Sequence, residues 1–253
     1  MAPEFRRHEI EWTDEKVARH WDYASSNPEY EDSYFSKVVG DLVLDEVRRI
    51  VPLEGRILDF GCGPGHLMEK LIARGVAVRG VDFSEDSIAS VNARLSGNPL
   101  FRGAVHITGL PVKELDGSYD IVFLLETIEH ILPEIMNATL SELNRLLRIG
   151  GKIVITTPNR ENLEANKVMC PECGCTFHRI QHVHSWSAES LSATMARFGF
   201  QRVRTVETTF RRGDVLNNLY RLYFRLSGRT RPNLIYVGEK TAPSSSHQSE
   251  PGA

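Results

Sequence analysis

The chain has 253 residues, 41% of them hydrophobic, so it can bury the core of one sizeable domain. Its formal net charge of -3 does not indicate a nucleic-acid partner, and its apolar runs are too short to cross a membrane. The first residues lack the apolar core of a signal peptide, so we expect a cytoplasmic protein with no membrane partner. The sequence leaves both a monomer and a homodimer open.

The N-terminal stretch, residues 1–35, is polar and rich in aromatic side chains. We expect short helices there that cover a cleft, although an arm packed on the surface of the core is an equally good interpretation. Apolar residues from Val38 to Ile50 then have the spacing of an amphipathic helix.

The segment ILDFGCGPGHL, from Ile57 to Leu67, predicts a buried strand, a tight glycine turn and the start of a helix. Such a turn at the carboxyl end of a strand is where doubly wound folds bind nucleotides. The phosphate-binding pattern G-x-G-x-x-G does not fit, because His66 stands at its third glycine. Asp59 precedes the turn, which suits a ligand with a cationic or hydroxyl-bearing end. The alternative is a glycine-rich loop with a structural role only.

A second strand, over residues 76–83, ends in Asp82. The distance from the glycine turn to this acid suits the carboxylate that binds ribose hydroxyls in dinucleotide folds. Asp82 as a helix N-cap is the alternative, with Ser84 competing for that role, and the two roles can coexist.

Further strands are predicted over residues 104–108, 119–125, 152–157, 203–210 and 234–239, with helices between the earlier ones. The helix before residue 152 is expected to end at Gly150-Gly151. Alternating strands and helices predict a parallel sheet with helices on both faces. Residues 160–185 break the alternation and should form a lid or knuckle rather than a sheet element, and residues 241–253 read as a disordered tail.

The order of elements over residues 36–240 and the glycine turn resemble the class I S-adenosylmethionine (SAM) methyltransferases. The resemblance implies an α/β fold: a doubly wound, seven-stranded, mostly parallel sheet with an N-terminal helical cover and a Cys/His-rich insert after strand 5. Many members have an acid after the third strand, where this chain has Thr108 and Gly109. The residues that we assign to SAM by this resemblance and by adjacency are Asp59, Gly61, Cys62, Gly63, Asp82, Phe83, Leu110 and Glu126.

A narrower resemblance lies in ETIEH, residues 126–130. Similar E-x-x-E-H segments occur in ubiquinone-biosynthesis O-methyltransferases and in small-RNA 3′-terminal 2′-O-methyltransferases. In the RNA enzymes these residues bind a divalent metal with a later His, and HVHSW, residues 182–186, looks similar to the segment that carries it. The implied ligands of Mg²⁺ or Mn²⁺ are Glu126, Glu129, His130 and His182, with Glu126 sharing one helical turn with the next two. Without a metal, Glu126 lines the SAM site, Glu129 caps a helix and His130 acts alone as a general base.

The segment CPECGC predicts a second, structural metal site. Four cysteines are too few for a disulfide scaffold, and three of them cluster in a spacing that suits a zinc knuckle. The hypothesised zinc ligands are Cys170, Cys173, Cys175 and His178. The alternative is a loop whose free thiols pack under an active-site lid.

The predicted function is methyl transfer from SAM to an oxygen of a small molecule, assisted by a divalent cation, with Glu129 and His130 as catalytic residues. RNA 2′-O-methylation is the second hypothesis, since RNA ends present two neighbouring hydroxyls that a metal can chelate. Basic runs over residues 202–212 and 221–231 favour it, whereas the acidic balance and His184-Ser185, where the RNA enzymes have Phe-Glu, argue against it. A non-catalytic SAM-binding protein is the third, and the intact glycine turn and ETIEH segment argue against that.

Overall fold

A computed structural model describes residues 5–26, 32–210, 223–224, 226–227 and 230–244. Within these ranges no helix is long and apolar enough to span a membrane. The helices are α1 (Asp14–Ser26), α2 (Phe35–Arg48), α3 (His66–Ala73), α4 (Glu85–Leu95), α5 (Pro133–Leu146) and α6 (Ala188–Arg197), with a 3₁₀ turn at Glu164–Asn166. The strands are β1 (His8–Glu9), β2 (Ile57–Phe60), β3 (Val78–Asp82), β4 (Phe101–His106), β5 (Tyr119–Leu125), β6 (Leu147–Pro158), β7 (Lys167–Met169), β8 (Cys175–His178), β9 (Phe200–Thr208) and β10 (Asn233–Lys240).

The main sheet has seven strands in the order β4-β3-β2-β5-β6-β10-β9. Strands β4, β3, β2, β5 and β6 pair in parallel, whereas β10 is antiparallel to both β6 and β9. The predicted doubly wound sheet with one antiparallel strand is therefore confirmed. The carboxyl ends of the parallel strands share one edge, which is where such sheets bind ligands.

Helices cover both faces of the sheet because each has one apolar side. On one face α2 buries Val43, Leu44 and Val47 in a core that includes Phe123 of the central strand β5. On the other face α5 buries Leu140 and Leu143 against Val122 and other residues of a second core. Strand β5 is buried from both sides, and this explains its nearly continuous apolar sequence.

Strand β6 begins earlier than the sequence predicts. Helix α5 ends at Leu146, and Gly150-Gly151 lie inside the strand rather than between helix and strand, so the predicted boundary is wrong. Gly150 has φ +77°, and the register between β5 and β6 shifts nearby. The glycine pair accommodates an irregularity of the strand, which a glycine pattern alone does not distinguish from a loop.

The insert over residues 160–185 lies outside the main sheet, as predicted, but it contains strands. Strands β1, β8 and β7 form a separate three-stranded sheet, in which the N-terminal segment pairs in parallel with the insert through His8 and Cys175. The prediction that the insert holds no sheet element is wrong in this respect. At the other end, Ser244 N–H donates to Asn144 Oδ1 at 3.0 Å, and residues 245–253 of the predicted tail lie outside the described residues.

Candidate active site

The glycine turn between β2 and α3 combines close packing with open space. Gly61 N–H donates to Val81 O at 2.8 Å, and Gly61 has φ +77°. A Cβ at Gly61 would lie 2.9 Å from Thr127 Oγ1, so the turn packs directly on the ETIEH segment. Gly63 also has positive φ, at +49°, but a Cβ there would meet no atom within 4 Å. Gly63 therefore borders space that a ligand can occupy.

Asp82, at the end of β3, faces the glycine turn. Its Oδ2 accepts from Gly63 N–H at 2.7 Å and its Oδ1 accepts from Ser84 N–H at 2.8 Å. Ser84, and not Asp82, caps helix α4, by accepting from Ser87 N–H. Burial raises the pKa of the Asp82 carboxyl. Asp82 is thus free of the N-cap role, and ribose binding remains its predicted function.

Asp59 is 2% exposed at the end of β2. Burial, together with the nearby Asp82 charge, raises the pKa of Asp59 to about 8. A ligand with a positively charged end, which is one of the two kinds that the sequence predicts here, would favour the ionised form. Its neighbour Cys62 is also buried, and a Cβ at Gly80 would lie 2.8 Å from Cys62 Sγ, so this thiol packs between strands.

Two further residues predicted to contact SAM, Phe83 and Leu110, are not fully buried. Phe83 follows Asp82 directly and is 53% exposed, which leaves an aromatic face available for stacking. Leu110 packs against the core that contains β5 and is only partly buried. Thr108 and Gly109, which replace the acid expected after the third strand, are exposed.

The ETIEH segment forms a turn after β5 and not the predicted turn of helix. Glu126 has φ +44°, in the left-handed region, and its N–H donates to Thr156 O at 3.0 Å. His130 N–H then donates to Thr127 O at 3.0 Å. Helix α5 starts only at Pro133, so Glu129 is not its cap. The turn instead directs the side chains of Glu129 and His130 inward. Burial there raises the pKa of Glu129 and lowers the pKa of His130.

Glu129, His130 and His182 each offer one ligand atom within 4.8 Å of the others. Three of the four predicted ligands of the divalent cation are thus brought together, and one of them, His182, comes from the insert. The fourth predicted ligand, Glu126, is not a member of this group. Glu129 is 0% exposed, and neither carboxylate oxygen has a hydrogen-bond partner among the described residues. His130 Nε2 lies 4.0 Å from Glu129 Oε1. Burial and the adjacent Glu126 charge raise the Glu129 pKa well above its ordinary value.

Hydrogen bonds hold both imidazoles with Nε2 available. His130 Nδ1 lies 3.4 Å from Gln181 O, a carbonyl that can only accept, so Nδ1 carries the hydrogen. His182 Nδ1 likewise contacts the Glu161 carboxylate. Burial and the neighbouring His182 lower the pKa of His130 to about 3, which keeps it neutral. Neutral imidazoles with a free Nε2 and a hydrogen-bonded Nδ1–H are the form that binds metals.

The insert is fastened to the ETIEH turn by main-chain contacts. Val183 and His184 N–H groups both donate to Glu129 O, at 2.9 and 3.2 Å. Gln181, which is fully buried, donates from Nε2 to His130 O at 3.0 Å. Trp21 of α1 donates to Gln181 Oε1 at 3.1 Å, and its ring lies edge-on to His130 with centroids 4.9 Å apart. The N-terminal segment therefore reaches the same cluster, through contacts that the sequence did not indicate.

The predicted zinc ligands are only partly brought together. Backbone N–H groups of Cys173 and Glu172 lower the pKa of the Cys170 thiol, and the Cys173 thiol also interacts with it. His178, however, stacks on His182 with ring centroids 4.6 Å apart and an interplanar angle of 13°. Among the residues that the structure describes, no cysteine joins a group of three candidate ligands. The zinc site stays a prediction, and His178 is placed with the imidazoles instead of with the thiols.

The sheet order, the glycine turn and the acid at the end of β3 define the class I SAM-dependent methyltransferase domain. The chain belongs to the family described as "Methyltransferase domain", which matches residues 34–205.

Comparisons with individual proteins agree with this family. A ubiquinone biosynthesis O-methyltransferase from Rhizobium rhizogenes is 38% identical over 112 residues, which cover 43% of this chain and 44% of the relative. The match thus spans less than half of that protein's length. A Burkholderia thailandensis 1,6-didemethyltoxoflavin-N1-methyltransferase structure, with bound S-adenosylhomocysteine, has a TM-score of 0.65 at 16% identity and covers 93% of this chain and 94% of its own. A Streptomyces coelicolor geranyl diphosphate C-methyltransferase, crystallised with Mg²⁺, has a TM-score of 0.61 at 15% identity and covers 89% and 97%.

Proposed function

We propose that this chain methylates a hydroxyl oxygen of a small molecule, with SAM as the donor and a divalent cation held by Glu129, His130 and His182. The observation that carries the proposal is the convergence of one carboxylate and two imidazoles within 4.8 Å. Thr127, two residues before Glu129, packs on Gly61, and this contact supports a cluster close to the glycine turn. The 38% identity to a ubiquinone biosynthesis O-methyltransferase supports oxygen as the methylated atom.

On the donor side, the chain's task is to bind and orient SAM. SAM supplies an activated methyl group, so positioning and exclusion of water contribute most to the rate. Gly63 leaves room at the turn, Asp82 offers a carboxylate for ribose hydroxyls, and Asp59 offers a buried carboxyl for the cationic end. Phe83 presents an exposed ring beside Asp82 on which a base can stack.

On the acceptor side, Glu129 supports the presence of a cation. A buried carboxylate without hydrogen bonds is costly in a folded protein, and a bound cation would remove that cost. When bound, such a cation lowers the pKa of a coordinated hydroxyl. Mixed oxygen and nitrogen ligands suit Mg²⁺ or Mn²⁺. The Glu126 charge, next to Glu129, adds to the attraction for a positive ion.

The metal-free rival assigns proton removal to His130 alone. A general base works best with a pKa near the working pH. Burial and His182 lower the His130 pKa to about 3, so its neutral imidazole is a weak base and a suitable ligand. This favours the cation-assisted version.

RNA 2′-O-methylation is a second candidate, because His182 joins the cluster at the position that the resemblance to the small-RNA enzymes implies. Both acceptor classes present neighbouring oxygens to one cation. Three of the four arginines in the basic run over residues 221–231 lie outside the described residues, so this run adds no structural support.

The test is methyl transfer from labelled SAM by the full chain to three probes: a catechol, a simple phenol and a short RNA with a free 2′,3′-diol. We expect transfer to the catechol, loss in excess chelator, recovery with Mn²⁺, and loss in Glu129→Gln with SAM affinity unchanged. Glu134→Gln, which alters an exposed carboxylate two residues into α5, is the matched control.

Other outcomes separate the hypotheses. Transfer to the RNA alone would select the second candidate. Full turnover in excess chelator would refute the role of the cation and leave methyl transfer standing. SAM binding without transfer to any probe would support a non-catalytic SAM-binding protein.

A further inference from the structure

Glu161, at the start of the insert, belongs to neither sequence motif and lies against the predicted metal ligand His182. Its side chain is 13% exposed. Oε2 contacts His182 Nδ1, and Oε1 accepts from Asn166 Nδ2 at 2.8 Å. Ser185 Oγ donates to Glu161 O at 2.8 Å, so the backbone at this position is fixed as well. Both ends of this residue are therefore held in place.

The contacts of this carboxylate determine where the imidazole hydrogens lie. A carboxylate only accepts, so His182 Nδ1 carries its hydrogen and Nε2 keeps its lone pair. His178 Nδ1 accepts from His182 N–H at 3.1 Å, so the hydrogen of the neutral His178 ring is on Nε2. That Nε2 lies 3.3 Å from Glu161 Oε1. The Glu161 carboxylate therefore hydrogen-bonds to the His182 ring, and it lies close to the His178 ring stacked on it without a hydrogen bond to that ring.

We propose that Glu161 is a positioning residue, which holds His182 in the Nδ1–H tautomer and directs Nε2 toward the cation site beside Glu129. His178 stabilises that arrangement by packing on the His182 ring. This inference rests on the proposed cation-assisted function. It adds a residue that acts through a ligand rather than on the acceptor.

Glu161, His178 and His182 also form a group whose ligand atoms lie within 4.8 Å of one another, so Glu161 as a direct ligand is the competing assignment. The hydrogen bonds argue against it, because each carboxylate oxygen already faces an N–H donor. A carboxylate that accepts a hydrogen bond from the ring N–H of a metal-binding histidine is typical of the outer shell of a metal site.

The first measurement needs neither metal nor activity. Long-range ¹H–¹⁵N correlation spectra of the metal-free full chain report which ring nitrogen of His182 is protonated. We expect Nδ1–H in the wild type and in Glu161→Gln, whose amide oxygen still accepts. We expect a shift to Nε2–H in Glu161→Met, which removes both acceptors. Glu164→Gln is the control, because Glu164 lies three residues on, is 77% exposed and pairs with Lys167.

The second measurement is Mn²⁺ binding by titration calorimetry on the same variants. Loss of an outer-shell partner typically weakens metal affinity by about 10–100-fold, and we expect that loss for Glu161→Met. Glu161→Gln should retain more affinity, and Glu164→Gln should match the wild type. Melting temperatures without metal show whether each variant folds.

Four results would overturn the proposal. If the Glu161→Met variant keeps Nδ1–H on His182, or if it binds Mn²⁺ as tightly as the wild type, only the positioning role of Glu161 is refuted. If the Glu161→Gln variant keeps the His182 tautomer but loses Mn²⁺ binding as completely as Glu129→Gln does, Glu161 is a direct metal ligand. A wild type that binds no Mn²⁺ would refute the cation in the proposed function and the role of Glu161 toward it together.

Discussion

Glu129 should destabilise the metal-free protein and stabilise the metal-bound one. Its carboxylate is fully buried, lacks hydrogen bonds from the described residues and lies beside the Glu126 charge. In Glu129→Gln the charge is removed with little change of shape, and the new amide N–H can donate to Glu126. An unsatisfied buried polar group costs about 1–3 kcal/mol, so we expect the variant to gain that much stability without metal. For a domain of this size the gain corresponds to about 2–4 °C in Tm per kcal/mol.

The effect of pH on this gain has a definite sign. Burial raises the Glu129 pKa in the folded state above its ordinary value of 4.5. The unfolded chain therefore loses its proton first, and wild-type stability falls as the pH rises from 4.5 toward the folded-state pKa. The advantage of Glu129→Gln should be absent in acid and largest at alkaline pH.

Mn²⁺ should reverse the order of stability. At a concentration of about 1,000 times Kd, a ligand adds about 4.1 kcal/mol to the protein that binds it, which exceeds the expected gain of the variant, so the wild type should overtake the variant. The assay is thermal unfolding with and without Mn²⁺. Glu142→Gln is the matched control, since Glu142 is also buried but accepts from Val112 N–H and from Arg145, and its loss should destabilise by about 1–3 kcal/mol. Destabilisation of Glu129→Gln without metal, or no Mn²⁺ effect on the wild type, would refute this reasoning.

Three further predictions concern SAM and zinc. Gly63→Arg should abolish SAM binding in calorimetry. Gly75→Arg is the control, because Gly75 is at an equally open position with positive φ, and it should bind SAM as the wild type does. Equal losses of binding in both variants would indicate misfolding instead of a blocked site. SAM affinity should rise with pH up to about 8, because Asp59 must ionise, by at most about tenfold per pH unit, and Asp59→Asn should flatten the profile. Elemental analysis tests the zinc hypothesis: one zinc per chain, lost in Cys170→Ser, would support a site built on the cysteines without His178, whereas zinc-free protein with unchanged stability would leave a structural loop.

The part of the candidate site predicted to bind SAM could be found from the sequence, because its residues are set by the local conformation of the backbone. Gly61 and Gly63 adopt positive φ in one tight turn, and Asp82 follows at the end of the next parallel strand. Short-range pattern and the geometry of parallel sheets are enough to place these residues at one edge. Even so, Gly150-Gly151 show the limit, since the same residue type that forms a turn elsewhere sits inside a strand there.

In the part of the candidate site predicted to bind the acceptor, only residues within a recognised sequence motif could be predicted. His182 could be proposed from its resemblance to a later His, but its partner Glu161 carries no local signal. Gln181 and Trp21 were not predicted either, although they contact each other and His130. Their roles depend on how the insert folds back onto the ETIEH turn, and that is a tertiary contact between residues far apart in sequence.

The contacts of the ETIEH turn separate the part of the candidate site that faces the glycine turn from the part that faces the insert. Thr127 packs on Gly61, whereas Glu129, two residues later, receives the insert through Val183 and His184 N–H groups. One short turn therefore touches the SAM side with its first half and the insert with its second. The insert and the N-terminal strand form a three-stranded sheet that is separate from the main sheet, which contains β2 and β3. We propose that residues 160–185 and the N-terminal segment together determine the choice of acceptor. Exchange of both segments at once, rather than of either alone, is the change that preserves their shared sheet.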